Sequence, residues 1–148
     1  MQINIRPANE NDFSAIYALI HEFASFQKTP EKVLITPEQM LQNKDLFQCL
    51  VAVTDEQQII GFASYFYAYY SWSGKAIYLD DLYVIETYRK QKAGSQLLNA
   101  LIQLAKQQQC VKLRWQVSSW NKSAIGFYKS IGAYIDDTEI NCDLNLQV

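Results

Sequence analysis

The chain is poor in the residues that build covalent or metal frameworks. Its 148 residues include three cysteines and one histidine. Cys49, Cys110 and Cys142 are odd in number, widely spaced and form no C-x-x-C pair, which excludes a disulfide framework and a zinc site. His21 alone cannot form an imidazole-based site, so no metal is expected. An excess of one charge is also missing: 13 Lys and Arg face 15 Asp and Glu, a formal net charge of −2. That balance speaks against a general nucleic-acid binder. No apolar run approaches the roughly 20 residues needed to span a bilayer. The opening MQINIRPANENDF lacks a basic stretch followed by an apolar core, so no signal peptide is expected. The setting expected is reduced and cytoplasmic, with neither membrane nor nucleic acid as partner. Because 49% of residues are hydrophobic, disorder is excluded, and the length suits one domain over residues 1–148.

Periodicity gives the order of elements. Ile3 and Ile5 alternate with polar neighbours, a short strand that Pro7 stops. Phe13, Ile16, Tyr17, Ile20 and Phe23 recur at helical spacing, with Asn9 or Asn11 as cap and Asp12 in the first turn. Thr36-Pro37-Glu38-Gln39 starts a second helix: a capping threonine, proline at the first position, glutamine at the capping-box position. Three strands over 47–53, 59–70 and 76–84 form an antiparallel meander. A long amphipathic helix follows Gly94, carrying Leu97, Leu98, Leu101, Ile102 and Ala105. A strand is expected over 112–117. A last helix is capped by Asn121 and closed by Gly132, and one or two strands are expected after Ala133, ending at 143–146. The order predicts one α/β domain, a central mixed, mostly antiparallel sheet flanked by helices.

Two local features carry chemistry and a third gains weight from them. The segment Arg89-Lys90-Gln91-Lys92-Ala93-Gly94-Ser95 is a basic loop opening a helix, where unpaired N–H groups and the helix dipole favour an anion. Taken alone, with one glycine, it reads better as a solvated basic turn. Asp80-Asp81 interrupts an apolar strand, and alternation turns one carboxylate toward the more buried face, where it needs a partner, a cation or a cavity. Tyr128 follows Phe127 on the last helix, where an aromatic residue is usually core.

Their order and spacing together resemble the GNAT N-acetyltransferases. The signature N-x-x-A-x-x-F-Y-x-x-x-G-A is met by Asn121, Ala124, Phe127, Tyr128, Gly132 and Ala133. Ile5-Arg6-Pro7-Ala8 with Asp12 is also typical, and the resemblance covers essentially the whole chain. Within the family, residues 69–75 and 78–84 and Trp120-Asn121 look most like the diamine (spermidine/spermine) and thialysine acetyltransferase group.

The resemblance implies acetyl-CoA as co-substrate, no metal and a small cationic amine as acceptor. Arg89 and Gly94 match the ends of the family's pyrophosphate loop, R/Q-x-x-G-x-G/A, but Lys92 stands where its first glycine belongs. That loop, Arg89 to Ser95 and so including Lys90 and Gln91, would hold phosphate. Backbone groups of Leu82, Tyr83 and Val84 would line the cofactor, and Asn121, Ser123 and Ala124 would border its pantetheine and phosphate region. Tyr128 matches the general acid that protonates the leaving thiolate. Asp80 stands where the diamine group has a glutamate implicated in taking the amine proton. Asp81, Trp72 and Trp120 would shape the acceptor site with Phe26 and Gln27. The diamine group carries an acid after the aromatic residue that Phe26 matches, and here Gln27 and Lys28 follow. A shorter diamine, a polyamine or a lysine analogue therefore all stay open. A homodimer through C-terminal strands is implied, with Cys142, Leu144 and Leu146 alternating on such an edge. The contrasting expectation is a non-catalytic GNAT-like module, because Lys92 would weaken CoA binding. Charge is divided in keeping with two ligands: residues 75–132 carry 9 bases and 3 acids, and residues 1–74 carry 4 bases and 8 acids.

Overall fold

The computed structural model describes residues 2–146, with the side chain of Lys90 left outside the description. It falls into two compact units, Met1–Trp115 and Gln116–Val148.

The first unit is a five-stranded mixed sheet in the order β1 to β5. Strand β1 (Ile3–Pro7) pairs antiparallel with β2 (Gln48–Thr54), β2 with β3 (Ile59–Tyr70), and β3 with β4 (Gly74–Val84). Strand β5 (Lys112–Arg114) runs parallel to β4 after the crossover helix α3 (Ala93–Gln107). Residues 115–117, expected to continue β5, carry no ladder. Alternation divides the strands between two cores. Leu50, Ala52, Ile77, Leu79 and Val84 pack against Leu97, Leu98 and Leu101 of α3. Cys49, Val51, Val53, Phe62 and Tyr83 meet Phe13, Ile16 and Leu19 of α1 (Phe13–Phe26) on the opposite face. Each face of the sheet is thus buried under a helix, as an α/β layer architecture requires.

Caps follow the local sequence. Asn9 caps a short 3₁₀ turn ahead of α1, accepting from Asn11 N–H. Both carboxylate oxygens of Asp12 accept from Arg6, at 2.7 and 3.0 Å, which ties α1 to β1. That charged hydrogen bond holds the Asp12 carboxyl below its ordinary pKa. Helix α2 (Pro37–Gln42) carries the expected reciprocal capping box between Thr36 and Gln39.

Gly61 allows a close strand approach. A Cβ there would lie 2.8 Å from the Tyr83 carbonyl oxygen and 3.0 Å from Val84 Cγ2. Gly61→Ala is therefore expected to destabilise the fold by roughly 1–3 kcal/mol through overpacking, read as a lowered melting temperature. An unchanged melting temperature would show that β4 yields without strain.

The second unit holds α4 (Lys122–Ser130), capped by Asn121, with Gly132 at φ +94° beyond its C-terminus. The strands expected after Ala133 are absent: residues 133–146 form no ladder, and Tyr134, Ile140, Leu144 and Leu146 stand exposed. An extended segment needs a neighbouring strand for its N–H and C=O groups, and alternation in sequence supplies only the pattern.

Candidate active site

The last residues of β4 present backbone groups that no strand uses. The Gly61–Val84 pair is followed by a hydrogen bond from Ile85 N–H to Ile60 C=O at 2.9 Å. Alternation along an antiparallel ladder then turns the N–H and C=O groups of Leu82 and Val84 away from β3. On that far side the β5 ladder ends at Tyr78–Arg114. From Leu79 onward, β4 therefore has an edge without a strand partner among the described residues. Such an edge suits an extended ligand that carries amide groups. The Tyr83 side chain takes no part in it. Its ring lies under α1, stacked on Phe23 at 5.0 Å, and its hydroxyl donates to Glu22 Oε2 at 2.6 Å. Burial and this carboxylate push its pKa up to about 12.

After Ile85 the chain makes a 3₁₀ turn, Glu86–Gln91, and enters α3 through Lys92. Lys92 has φ +64° and ψ +24°, the left-handed conformation that favours glycine. The backbone thus keeps a glycine-type shape although a lysine occupies it, and the lysine side chain is exposed. Lys92→Gly should accordingly stabilise the protein by up to about 1 kcal/mol, which chemical denaturation would measure; a loss of stability would mean that the Lys92 side chain holds the turn. The first-turn N–H groups of Ala93, Gly94 and Ser95 have no acceptor four residues back within α3, as at any helix start, and form an anion-facing terminus. Gly94 is not sterically required, because a Cβ there would meet only Val84 Cγ2, at 3.8 Å. Arg89, expected on phosphate, donates instead from Nε to Val84 C=O at 2.9 Å. Its guanidinium lies 4.8 Å from the Phe26 ring and 5.5 Å from the Tyr83 ring. Phe26 and Arg89, assigned in sequence to different ligands, are therefore neighbours. Gln27 caps the C-terminus of α1 next to them. Gln91 is exposed, and the Lys90 side chain lies outside the described residues.

A bulge alters the reading of Asp80-Asp81. Ser64 pairs with Asp81 and Tyr65 with Leu79, leaving Asp80 as the extra residue. Leu79 and, beyond the bulge, Leu82 and Val84 all belong to the α3-side core. Asp81 lies opposite Ser64, and Ser64 is two residues from Phe62 on the α1 side. Both carboxylates are therefore on the α1 face, which corrects the expectation that alternation separates them. Ser64 Oγ accepts the Asp81 N–H at 3.2 Å. Burial, reinforced by the charge of Asp80, raises the Asp81 pKa to about 6, and burial also raises that of Asp80. A carboxyl raised to about 6, as that of Asp81 is, can exchange a proton near neutral pH.

Trp72 is not brought to them. It sits fully exposed in the turn between β3 and β4, and Gly74, where β4 begins, is already six residues, roughly 20 Å of strand, from Asp80. A cleft of about 230 Å³ lined by Pro7, Asn9, Phe13, Lys44 and Tyr65 contains none of the expected residues.

In the second unit, Asn121 Oδ1 accepts from Ala124 N–H at 3.2 Å, so Asn121, Ser123 and Ala124 form the capped start of α4. Tyr128 lies one helical turn further, its ring 5.7 Å from Phe127, and burial raises its pKa. Trp120 is exposed. The bond from Tyr83 to Glu22 is not legible in sequence, because an acid on an amphipathic helix gives no sign that a tyrosine from β4 will reach it.

The chain matches the acetyltransferase (GNAT) family over residues 13–133. It is 34% identical to thialysine N-epsilon-acetyltransferase of Mus musculus over 140 residues, 87% of this chain and 82% of the relative. It is also 34% identical over 139 residues to spermidine/spermine N(1)-acetyltransferase-like protein 1 of Homo sapiens, covering 87% of this chain and 20% of that longer protein. Among solved structures, an aminoglycoside acetyltransferase from an uncultured soil metagenomic sample superposes with a TM-score of 0.79 at 20% identity, covering 98% of this chain and 97% of that one.

Proposed function

The chain belongs to the acetyltransferase (GNAT) family, and from that premise we propose that it moves an acetyl group from acetyl-CoA to the primary amine of a small cationic acceptor. The observation that carries this reading is the pair of raised carboxylates beside the unpaired end of β4. A primary amine with pKa near 10.4 is protonated at neutral pH and cannot attack until it loses a proton. Asp80 takes that proton, directly or through one water, and Asp81 shares the charge. The thioester supplies the acyl carbon. Nitrogen forms the new bond to it within a ternary complex, the carbon–sulfur bond breaks, and Tyr128 donates its hydroxyl proton to the departing sulfur. The outward N–H of Val84 polarises the carbonyl. The α3 N-terminus with its basic loop would hold the pyrophosphate, and Leu82 would bond the pantetheine amides.

The acceptor class remains a diamine, polyamine or thialysine-like amine, consistent with the names of the relatives. Calorimetry tests the cofactor part: acetyl-CoA is expected to bind with Kd below millimolar. No heat at millimolar acetyl-CoA would favour a non-catalytic interaction module, which the lysine at position 92 alone supports. The chain is further proposed to pair with a second copy. The exposed alternation of Cys142, Leu144 and Leu146 supports this, because it is a strand pattern with no ladder partner among the described residues. Sedimentation is expected to give twice the chain mass, and a monomer at micromolar concentration would contradict it.

A further inference from the structure

Of the groups that the end of β4 turns away from β3, the Val84 carbonyl is already taken. Arg89 Nε donates to it at 2.9 Å. The same peptide unit is held at its other end, where Ile85 N–H donates to Ile60 C=O at 2.9 Å. A planar unit pinned at both ends cannot swing, which also fixes the strand end that carries the Val84 N–H. That N–H still faces the open edge. The guanidinium is itself held in place, 4.8 Å from the Phe26 ring and 5.5 Å from the Tyr83 ring. Tyr83 is anchored in turn by its stacking on Phe23 and its bond to Glu22. Burial and Glu22 raise the Tyr83 pKa while Arg89 opposes them, as expected of a cation beside the phenol. On its other side, the Arg89 carbonyl accepts from Lys92 N–H at 3.2 Å, in the left-handed turn that opens α3. One residue therefore joins the end of β4 to the start of α3.

We infer that Arg89 is a positioning residue for acetyl transfer, whose Nε–H bond to the Val84 carbonyl aims the Val84 N–H at the thioester, and whose charge is not what holds the cofactor's phosphates. The first-turn N–H groups of α3 and the exposed Lys92 already face an anion there without it. The two roles ask for different chemistry at position 89. A phosphate is attracted by charge and tolerates a change of side-chain reach. A hydrogen bond needs an N–H at the right distance and angle, whether or not it is charged. Glutamine places its Nε2 the same number of bonds from Cα as the arginine Nε, and carries no charge. Lysine keeps the charge, but its ammonium lies one bond further out. Methionine matches the length and supplies neither. Losing the donor leaves the Val84 carbonyl without its partner and frees the peptide unit to rotate. The Val84 N–H then leaves the direction in which it polarises the acyl oxygen as charge develops there.

This inference rests on the amine-transfer reading above, and the experiment separates the two. CoA release from acetyl-CoA is measured with the primary amine that the wild type turns over fastest. Arg89→Met is expected to lower kcat by about 10-fold or more, because a small misplacement at the reacting centre is costly. Arg89→Gln should keep kcat within about 3-fold of the wild type, and Arg89→Lys should fall with Arg89→Met. By calorimetry, acetyl-CoA should bind Arg89→Gln and the wild type with nearly the same affinity and the same dependence on salt. The melting temperature of each variant reports on folding. Recovery of kcat by Arg89→Lys but not by Arg89→Gln would assign Arg89 to the phosphates and overturn the positioning role. A weaker, less salt-dependent binding of acetyl-CoA to Arg89→Gln would do the same. So would a kcat unchanged in Arg89→Met, or lowered equally in all three variants. Each of these results leaves the transferase reading standing. No release by the wild type with any primary amine would also overturn the positioning role, and acetyl-CoA calorimetry would then decide whether the transferase reading falls with it.

Discussion

Tyr128→Phe is expected to lower kcat by about 100-fold or more while leaving the affinity for acetyl-CoA nearly unchanged. The substitution removes one oxygen and keeps the ring that contacts Phe127. A leaving thiolate gains charge as the carbon–sulfur bond breaks, and a positioned phenol can neutralise it in the transition state. Burial raises the Tyr128 pKa, so the group stays protonated, and able to donate, across the neutral range. The loss should fall on kcat because the proton is needed only as the bond breaks. Steady-state kinetics with acetyl-CoA calorimetry would show the split. Unchanged turnover, or a loss confined to acetyl-CoA binding, would remove Tyr128 from the chemistry.

The second large effect concerns the carboxylate pair. Asp80→Asn is expected to cut kcat/KM for the amine by about 100-fold or more, and Asp81→Asn to alter its pH dependence. In the wild type the acidic limb should rise through about pH 6, where Asp81 loses its proton. Because the two carboxylates interact, that limb belongs to the pair. Removing either one should shift it downward. The same group also acts on stability. Its folded pKa lies above the ordinary carboxylate value, so the folded chain holds the proton more tightly than the unfolded chain. Stability should therefore fall as pH rises from about 4 to about 6 and then level off. Asp81→Asn should remove that slope and raise the melting temperature at pH 7 but not at pH 4. A variant with the wild-type slope would show that Asp81 is not the titrating group.

Several parts of this arrangement were legible residue by residue. Thr36, Pro37 and Gln39 state a helix start in their side chains, and Asn121 and Gly132 bracket α4 in the same way, because caps are local. Strand β3 spans the expected Ile59–Tyr70, an apolar run bounded by polar turns. Other features depend on contacts distant in sequence. Alternation assumes an unbroken ladder, and the bulge at Asp80 breaks it because of how β3 is registered opposite. Trp72 and Asp81 are nine positions apart in the chain, yet Trp72 sits in the turn of a long hairpin and Asp81 pairs with Ser64 well along it. Arg89 matches a phosphate loop by its position, but its guanidinium is taken up by the Val84 carbonyl and two rings that local sequence does not reveal. Alternation after Ala133 signals a strand only where another edge is present to receive it. Lys92 shows the reverse case: a residue that departs from the family pattern keeps the left-handed backbone that glycine would adopt.

The most direct measurement is acetyl-CoA turnover with a panel of primary amines, following free thiol release together with the mass of the amine product. The transferase reading predicts CoA release that requires the amine, matches the acetylated amine in amount and falls sharply in Tyr128→Phe. Release without an amine product, or none with any amine while acetyl-CoA gives no binding heat, would contradict it.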